Sequence, residues 1–479
     1  MSESSKQKAA SLVDAASQHP LNRSMTIWHS FTLGFAVVSP VVGLYAIIGV
    51  QTIVTGGGWF AAMVICLLMQ LLVATVYAEL SSQFPIAGGA YRWSRQLGGV
   101  IAGHYAGVIY ISSTIAMLTT TAYTGGIWLA TFSGSIGGGG GMMVLWGAVF
   151  LTLCALLNLV HVNVFKFLIK LGVYAEIVGS FGIALLLFFF FRQHPFGEMF
   201  QHLGSGTAPS ETAAFLAALA IAGWAFIGFD ACSTTAEETH QPESVVPRAI
   251  FLSLCAVGTV VLFNSASLVL AFDHAALINA SHTSDPITPL IASHFGSWIE
   301  KPFLAIVMIA FLACGASVVK YASRIVYAMA REGNMPALLG QVTAGGMPRN
   351  AVLFTVLLAG LGLLLGLNDD AVATVIAFGA GGLYAMFTMT MGVGLFARLT
   401  GRWNPDLGRM KLGRWGLVIN IVAFAWSLFE LINIAWPRAY AISADAPWWQ
   451  LWATPLVLAG ILGVTTLILF IKHFFCKSA

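Results

Sequence analysis

The chain has 479 residues, of which 58% are hydrophobic and 9% charged, with a mean hydropathy of +0.85. A soluble domain carries about 25% charged residues, so this composition excludes a soluble globular protein and predicts a polytopic membrane protein. The formal net charge of +3 does not point to nucleic acid, because the charges fall in loops between apolar stretches.

A helix that crosses a bilayer needs about 20 apolar residues, and on that criterion the chain holds about twelve such stretches. They lie near 27–50, 58–82, 99–130, 142–160, 166–192, 212–238, 248–272, 302–331, 350–367, 372–396, 415–437 and 450–474. Basic residues divide by side. Loops on one side hold Lys6, Lys8, Arg23, Arg92, Arg95, Lys166, Lys170, Arg248, Arg331, Arg349, Arg398, Arg402, Arg409, Lys411, Arg414, Lys472 and Lys477. The other side holds little beyond Arg192, Lys301 and Arg438. An even span count returns the chain to its starting side, and the positive-inside rule places both termini in the cytoplasm. A multi-pass plasma membrane protein, bacterial inner membrane in type, is the expectation. The first 25 residues are polar and lack the apolar core of a cleaved signal peptide, so the first span is expected to direct insertion.

The first span contains TLGFAVVSPVVGLYAIIGV, from Thr32 to Val50. Pro40 lacks an amide hydrogen and its ring clashes with the preceding turn, and Ser39 and Gly43 flank it. A broken helix is expected there, a simple kink being the alternative. The third span carries Tyr110, Ser112 and Ser113, and His104 is expected to be structural, as is His161 further on. The run SGSIGGGGG, from Ser133 to Gly141, has no phosphate-loop lysine and is expected to be a flexible outer loop. Glu176 lies in the fifth span.

The sixth span ends in GWAFIGFDACSTTAEETHQPESVVPR, from Gly223 to Arg248. A carboxylate at membrane depth is expensive and persists mainly where it lines a cavity or an ion path. Asp230 follows Gly228, and backbone can break at that depth only where it is buried in protein or faces water. This segment is therefore a candidate binding site. Asp230 would bind a substrate amine or take up a coupled proton, or else cap the second half of the helix. Trp224 and Phe226 beside the break, with Tyr110 and Phe378, could line a cavity and hold an ammonium by cation–π attraction.

Lys320 lies eleven residues before Arg331, hence roughly 16 Å from that helix end, near mid-membrane. Glu176 is its plausible counter-charge. Glu79, Glu237, Glu238, Arg92, Arg95 and Arg324 cluster near helix ends on the basic side. They could form an inner gate, or static salt bridges at the membrane edge. Glu430 in the eleventh span is expected to serve packing or oligomerisation. Asn279-Ala280-Ser281 is a formal glycosylation sequon that carries little weight. The cysteines Cys66, Cys154, Cys232, Cys255, Cys314 and Cys476 have neither zinc nor redox spacing, and free thiols are expected. No metal or cofactor is expected.

Interrupted helices in matching positions of two halves point to a transporter built from inverted repeats. The blocks are 27–192 and 212–396, each of five spans, preceded by a tail at 1–26. Residues 397–479, with the last two spans, fall outside the repeat. A half-helix that starts at a break aims free amide hydrogens and its positive end at the site, and one that stops there presents carbonyls. Together they can bind a zwitterion without a charged side chain.

These segments resemble a known family. WAFIGFDACSTTAEETHQPESVVPRAI resembles the sixth-helix signature of the amino acid–polyamine–organocation (APC) permeases. AELSSQFPIAGGAYRWSRQLGG, from Ala78 to Gly99, is similar to that family's loop between helices two and three. ASRIVYAMAREGNMP, from Ala322 to Pro336, is similar to the end of its eighth helix, and FAVVSPVVGLY, from Phe35 to Tyr45, to the amino acid/choline transporter branch. The resemblance implies an all-α LeuT-type fold: a five-plus-five inverted repeat, two added helices and alternating access around a central site. By position it implies a substrate site of Ser39, Pro40, Val41, Val42 and Gly43 at one break, and Trp224, Ala225, Phe226, Ile227 and Gly228 at the other, with Trp224 capping the substrate. In LeuT-type sodium transporters helices one and eight build a sodium site, and a lysine at Lys320 could replace that ion. The chain departs from the family at the first break, where many members have Gly-Ser/Thr-Gly and this one has Val41-Val42-Gly43. Less room is left for a carboxylate.

The expected function is secondary transport of amino acids or related amines, proton-coupled or by exchange, independent of sodium, by a monomer or homodimer in the bilayer. The alternative cargo is an organic cation of the polyamine, choline, ethanolamine or γ-aminobutyrate type. A transporter-like ligand sensor is a further alternative. The chain lacks His-Glu-x-x-His and Gly-x-Ser-x-Gly, so enzyme chemistry is not expected.

Overall fold

The computed structural model describes residues 23–135, 139–160, 162–281, 285–343, 346–367, 369–441 and 447–475. Among these residues the chain is helical almost throughout, and its β pairing consists of two isolated bridges. The expected tail up to residue 22, His161 and Cys476 lie outside the described residues.

Twelve helices among the described residues are long and apolar enough to cross a membrane. We number them α1 (Ile27–Tyr45), α2 (Phe60–Gln83), α3 (Ala90–Ser133), α4 (Gly140–Leu159), α5 (Asn163–Phe190) and α6 (Glu211–Thr234). The rest are α7 (Pro242–Ala271), α8 (Ser297–Arg331), α9 (Arg349–Leu367), α10 (Ala377–Leu399), α11 (Gly413–Ala435) and α12 (Ala453–Phe470). All twelve coincide with the apolar stretches of the sequence. The protein is a twelve-span, all-helical membrane protein.

Burial separates the centre from the rim. In α1 and α8, 72% of the most apolar window is buried in protein, against 17% in α12. Apolar side chains facing lipid need no partner, so α12 can sit at the edge. A span covered on all sides, such as α8, must satisfy every polar group internally.

Two boundaries differ from expectation. Helix α3 begins nine residues before position 99, as a lead-in from Ala90, and bends at Gly99 with φ 87°. A Cβ at Gly99 would meet nothing within 4 Å, so backbone conformation alone demands glycine there. The glycine run is not all loop: a helix starts at Gly139. The five described cysteines are free thiols.

Candidate functional site

Helix α1 is interrupted where Pro40 predicts, over a narrower stretch than expected. Its first half ends at Val38, Ser39 adopts φ 46°, and Pro40 opens the second half at the first helical position. Proline suits that position because its missing N–H is one that no helix could satisfy. The Ser39 hydroxyl caps the new half by accepting from the Val42 amide at 3.2 Å. Val41, Val42 and Gly43 lie inside the helical turn that follows.

Helix α6 tightens into a 3-10 turn at Gly223–Phe226 and becomes extended at Ile227. Gly228 has φ 91°, and the helix resumes at Ala231–Thr234. The two interruptions touch. A Cβ on Gly228 would lie 2.7 Å from Val37 Cγ1, and one on Gly43 would lie 3.3 Å from Ala225 Cα and O. These glycines let two broken helices cross in direct backbone contact.

Asp230 sits at this crossing and is fully buried. It holds the N-cap position of Ala231–Thr234, yet its side chain makes no cap bond. Its Oδ2 instead accepts from Tyr321 Oη of α8 at 2.8 Å and from Tyr110 Oη of α3. Oδ1 has no hydrogen-bond partner, and among the described residues no Lys, Arg or His lies within ion-pair distance. The two tyrosine rings meet edge to face, 5.7 Å apart. A buried carboxylate with no cation is expensive; a proton or an ammonium group is what such a site can take up. Tyr321 has no local signal in the sequence, and only the packing of α8 against the break reveals it.

Glu176 is not the counter-charge of Lys320. It receives a hydrogen bond from Ser39 Oγ at 2.6 Å, at the α1 break, where α5 widens into a π turn over Glu176–Phe181. Such turns recur at functional sites. Its Oε2 has no partner. Lys320 is not beside the break either. Cys314 Sγ reaches the Val37 carbonyl, and Lys320 lies six residues further along α8, roughly 9 Å at 1.5 Å per residue. There its Nζ pairs with Glu238 Oε2 at 3.0 Å and approaches Met25. Lys320 therefore lies level with the start of α1 rather than with its break, and α8 continues past it to Arg331.

The basic-side cluster resolves into separate networks. Glu238 bridges Lys320 and Arg324, the latter at 2.5 Å. Burial alone would raise its carboxyl pKa, but the Arg324 and Lys320 charges outweigh burial and hold it at about 2. The backbone adds to the closure: Met25 N donates to Glu238 O at 2.9 Å, and His240 N to Met25 O at 2.9 Å. Glu237 pairs with Arg331 at 2.9 Å and accepts from the Ala87 amide in the loop after α2. Glu332 gathers Arg92 and Arg95. Glu79 stands apart from this group; it binds Arg398 and the Leu412 amide, tying α2 to the segment between α10 and α11.

On the opposite ends of α1 and α6 a cavity of about 380 Å³ opens. Its walls include Ala46, Ile47, Ala220, Ile221, Ala377 and Ile434, and Trp224 is part of its lining. Trp224 therefore stands between the cavity and the break that carries Asp230. Of the other aromatic and hydroxyl candidates, Phe226 and Phe378 are buried and Ser112 is half-buried. Ser113 turns back onto the Ile109 carbonyl, and His104 onto the Val100 carbonyl, both local bonds.

The family model described as amino acid permease matches residues 29–462. The chain belongs to the amino acid permease family. The permease is 25% identical to the amino-acid permease BAT1 of Arabidopsis thaliana, across 93% of this chain and 90% of that protein. It is 25% identical to the branched-chain amino acid permease BcaP of Bacillus subtilis (strain 168), across 90% and 92%. To the choline transporter of Saccharomyces cerevisiae it is 23% identical, across 89% and 78%.

Proposed function

We propose that this permease moves amino acids with apolar side chains by alternating access around the paired breaks, with Asp230 taking up the coupled proton. The carrying observation is the asymmetry of the two faces. A cavity walled by Ala, Ile and Val leads in as far as Trp224, while the other ends of α1, α6 and α8 are closed by the Glu238 network and the Met25 bridge. This is the arrangement of an outward-facing carrier. The closed face carries the basic loops and is the cytoplasmic one, with both termini on that side. Residues 27–192 and 212–396 form the inverted repeat, each with its first helix broken.

Sodium independence fits the same geometry, because the Val37 carbonyl facing α8 is taken by the Cys314 thiol. An organic amine without a carboxylate is the second reading. It is favoured by Asp230 accepting from two tyrosine hydroxyls whose rings meet edge to face and by valines at the first break. The choline transporter among the relatives is in keeping with it.

The test is counterflow in proteoliposomes preloaded with unlabelled leucine, isoleucine, valine, lysine, choline or putrescine. Exchange of labelled leucine against the apolar amino acids alone is the expected result. Counterflow seen only when labelled choline or putrescine replaces labelled leucine would move the permease to the second reading, and no counterflow with any of them would refute transport of these classes.

A further inference from the structure

A further buried carboxylate lies outside the central site. Glu430 of α11 is fully buried. Its Oε1 has no hydrogen-bond partner, and its Oε2 receives only the Asn433 side-chain amide, at 3.5 Å. Among the described residues no Lys, Arg or His lies within ion-pair distance of it. The terminal N–H groups of Arg438, in the segment after α11, go to Asn433, Trp436 and Leu216 instead. Gln70 of α2 is also fully buried; its Oε1 accepts from Trp426 Nε1 at 3.4 Å, one turn before Glu430, and its Nε2 is unpaired. Cys66 of α2 and Tyr384 of α10, joined at 3.7 Å, lie within electrostatic reach of Glu430. The span of α12 has no titratable residue, and the first half of α6 has only Glu211 at its start. A carboxylate buried without a cation is costly, and an unpaired amide in the same seam adds to the cost. A proton removes the charge. A metal cation fits less well, because Arg438 already adds positive charge within electrostatic reach.

This seam leans on the broken helix at two points. Asn433 Nδ2 donates to the Leu216 carbonyl of α6 at 2.9 Å. A Cβ on Gly223, where α6 tightens, would lie 3.0 Å from the Tyr384 ring. Ile434, one turn after Glu430, lines the cavity, so the cavity wall begins within roughly 6 Å of helix rise. We propose that Glu430 is a second proton-binding site, loaded and emptied from the outer side, whose proton holds the first half of α6 against α10 and α11. The inference rests on the alternating-access reading above and not on the cargo. Asp230 carries the coupled proton; the proton on Glu430 regulates, and returns to the side it came from. With α6 in place the seam is dry and the carboxyl neutral. When α6 moves away, water reaches the carboxyl and the proton leaves. Linkage is reciprocal, so acid outside favours the conformation seen here.

Infrared difference spectra of the purified protein in lipid nanodiscs read the site without cargo. A protonated-carboxyl band is expected in the wild type at neutral pH, reduced by one carboxyl in Glu430→Gln. Glu430→Asp should shift that contribution rather than remove it, and serves if the glutamine variant does not fold. Motion is read by labelling Thr32→Cys from an interior of fixed pH, in an Asp230→Asn background that removes the coupled proton. Acidifying the outside should slow labelling at least roughly five-fold, the low end of coupling between sites. Adding Glu430→Gln should leave labelling slow at every outer pH. A carboxyl band unchanged from wild type in either Glu430 variant would overturn the proton site and leave alternating access standing. A pH response that survives Glu430→Gln would overturn the link to α6, as would a missing response where leucine or choline still alters labelling of Thr32→Cys alone. Labelling that answers to neither pH nor cargo would overturn both.

Discussion

Asp230 concentrates the physical tension of this molecule: a fully buried carboxylate with two tyrosine hydroxyls on one oxygen and nothing on the other. Asp230→Asn keeps the shape and removes the ability to take a proton. It is expected to abolish accumulation while leaving the melting temperature near the wild-type value; undiminished accumulation would remove Asp230 from coupling. Tyr321→Phe deletes one hydrogen bond to a group that must alternate between charge states. Such a bond contributes about 1.5–3 kcal/mol when its acceptor is charged, so the pH dependence of uptake should move in this variant. An unchanged profile would mean that the tyrosine only packs. Glu238 should not contribute to that profile. Its pKa lies at about 2, below the ordinary 4.5, so the stability it contributes as an anion is complete above 4.5 and is lost only as pH falls toward 2. Between pH 5 and 8 the Glu238 carboxylate itself stays charged, so it supplies no pH dependence in that range.

Among the elements, the proposed mechanism needs two interrupted helices in contact. Gly228→Ala forces a side chain onto φ 91° and sets its Cβ 2.7 Å from Val37. Backbone in such a region costs about 1–3 kcal/mol for an ordinary residue, and the clash adds to it. A clear fall in melting temperature, with loss of transport, is expected; wild-type stability would show that the break adjusts freely. The proposed gate makes a separate prediction. Glu238, Lys320 and Arg324 side chains are 11%, 7% and 8% exposed, which makes this a buried network rather than a surface one. Removing one partner of a buried pair costs about 3–5 kcal/mol because the remaining charges are stranded. Glu238→Gln should open the closed face, measured as faster labelling of a cysteine placed at Thr32. Unchanged labelling would mean that the network is static. The breaks are legible in the sequence because Pro40 and Gly228 state their backbone requirements locally. Ion-pair partners are not legible in the same way. Glu79 and Arg398 are 319 residues apart, and nothing along either helix says which other helix end will face it. The depth of Lys320 is hidden for a related reason: helical rise gives distance from a helix end, not from the membrane.

For the molecule as a whole, hydropathy is enough to find all twelve spans, because lipid imposes a length and an apolar face on each. The cavity cannot be found that way. Its wall combines residues just after α1, the first half of α6, and residues around α10, α11 and α12, and each contributes alanines or isoleucines that look like ordinary lipid-facing positions. The cavity and the Glu238 network lie at opposite ends of α1 and α6, and the proposed alternating access starts from that asymmetry. The most direct measurement is uptake of labelled leucine into proteoliposomes with the outside made acidic, in wild type and Asp230→Asn, with and without sodium. Accumulation above the external concentration is expected in the wild type, indifferent to sodium and abolished in Asp230→Asn. Accumulation that persists in Asp230→Asn, or that requires sodium and ignores the pH gradient, would contradict it.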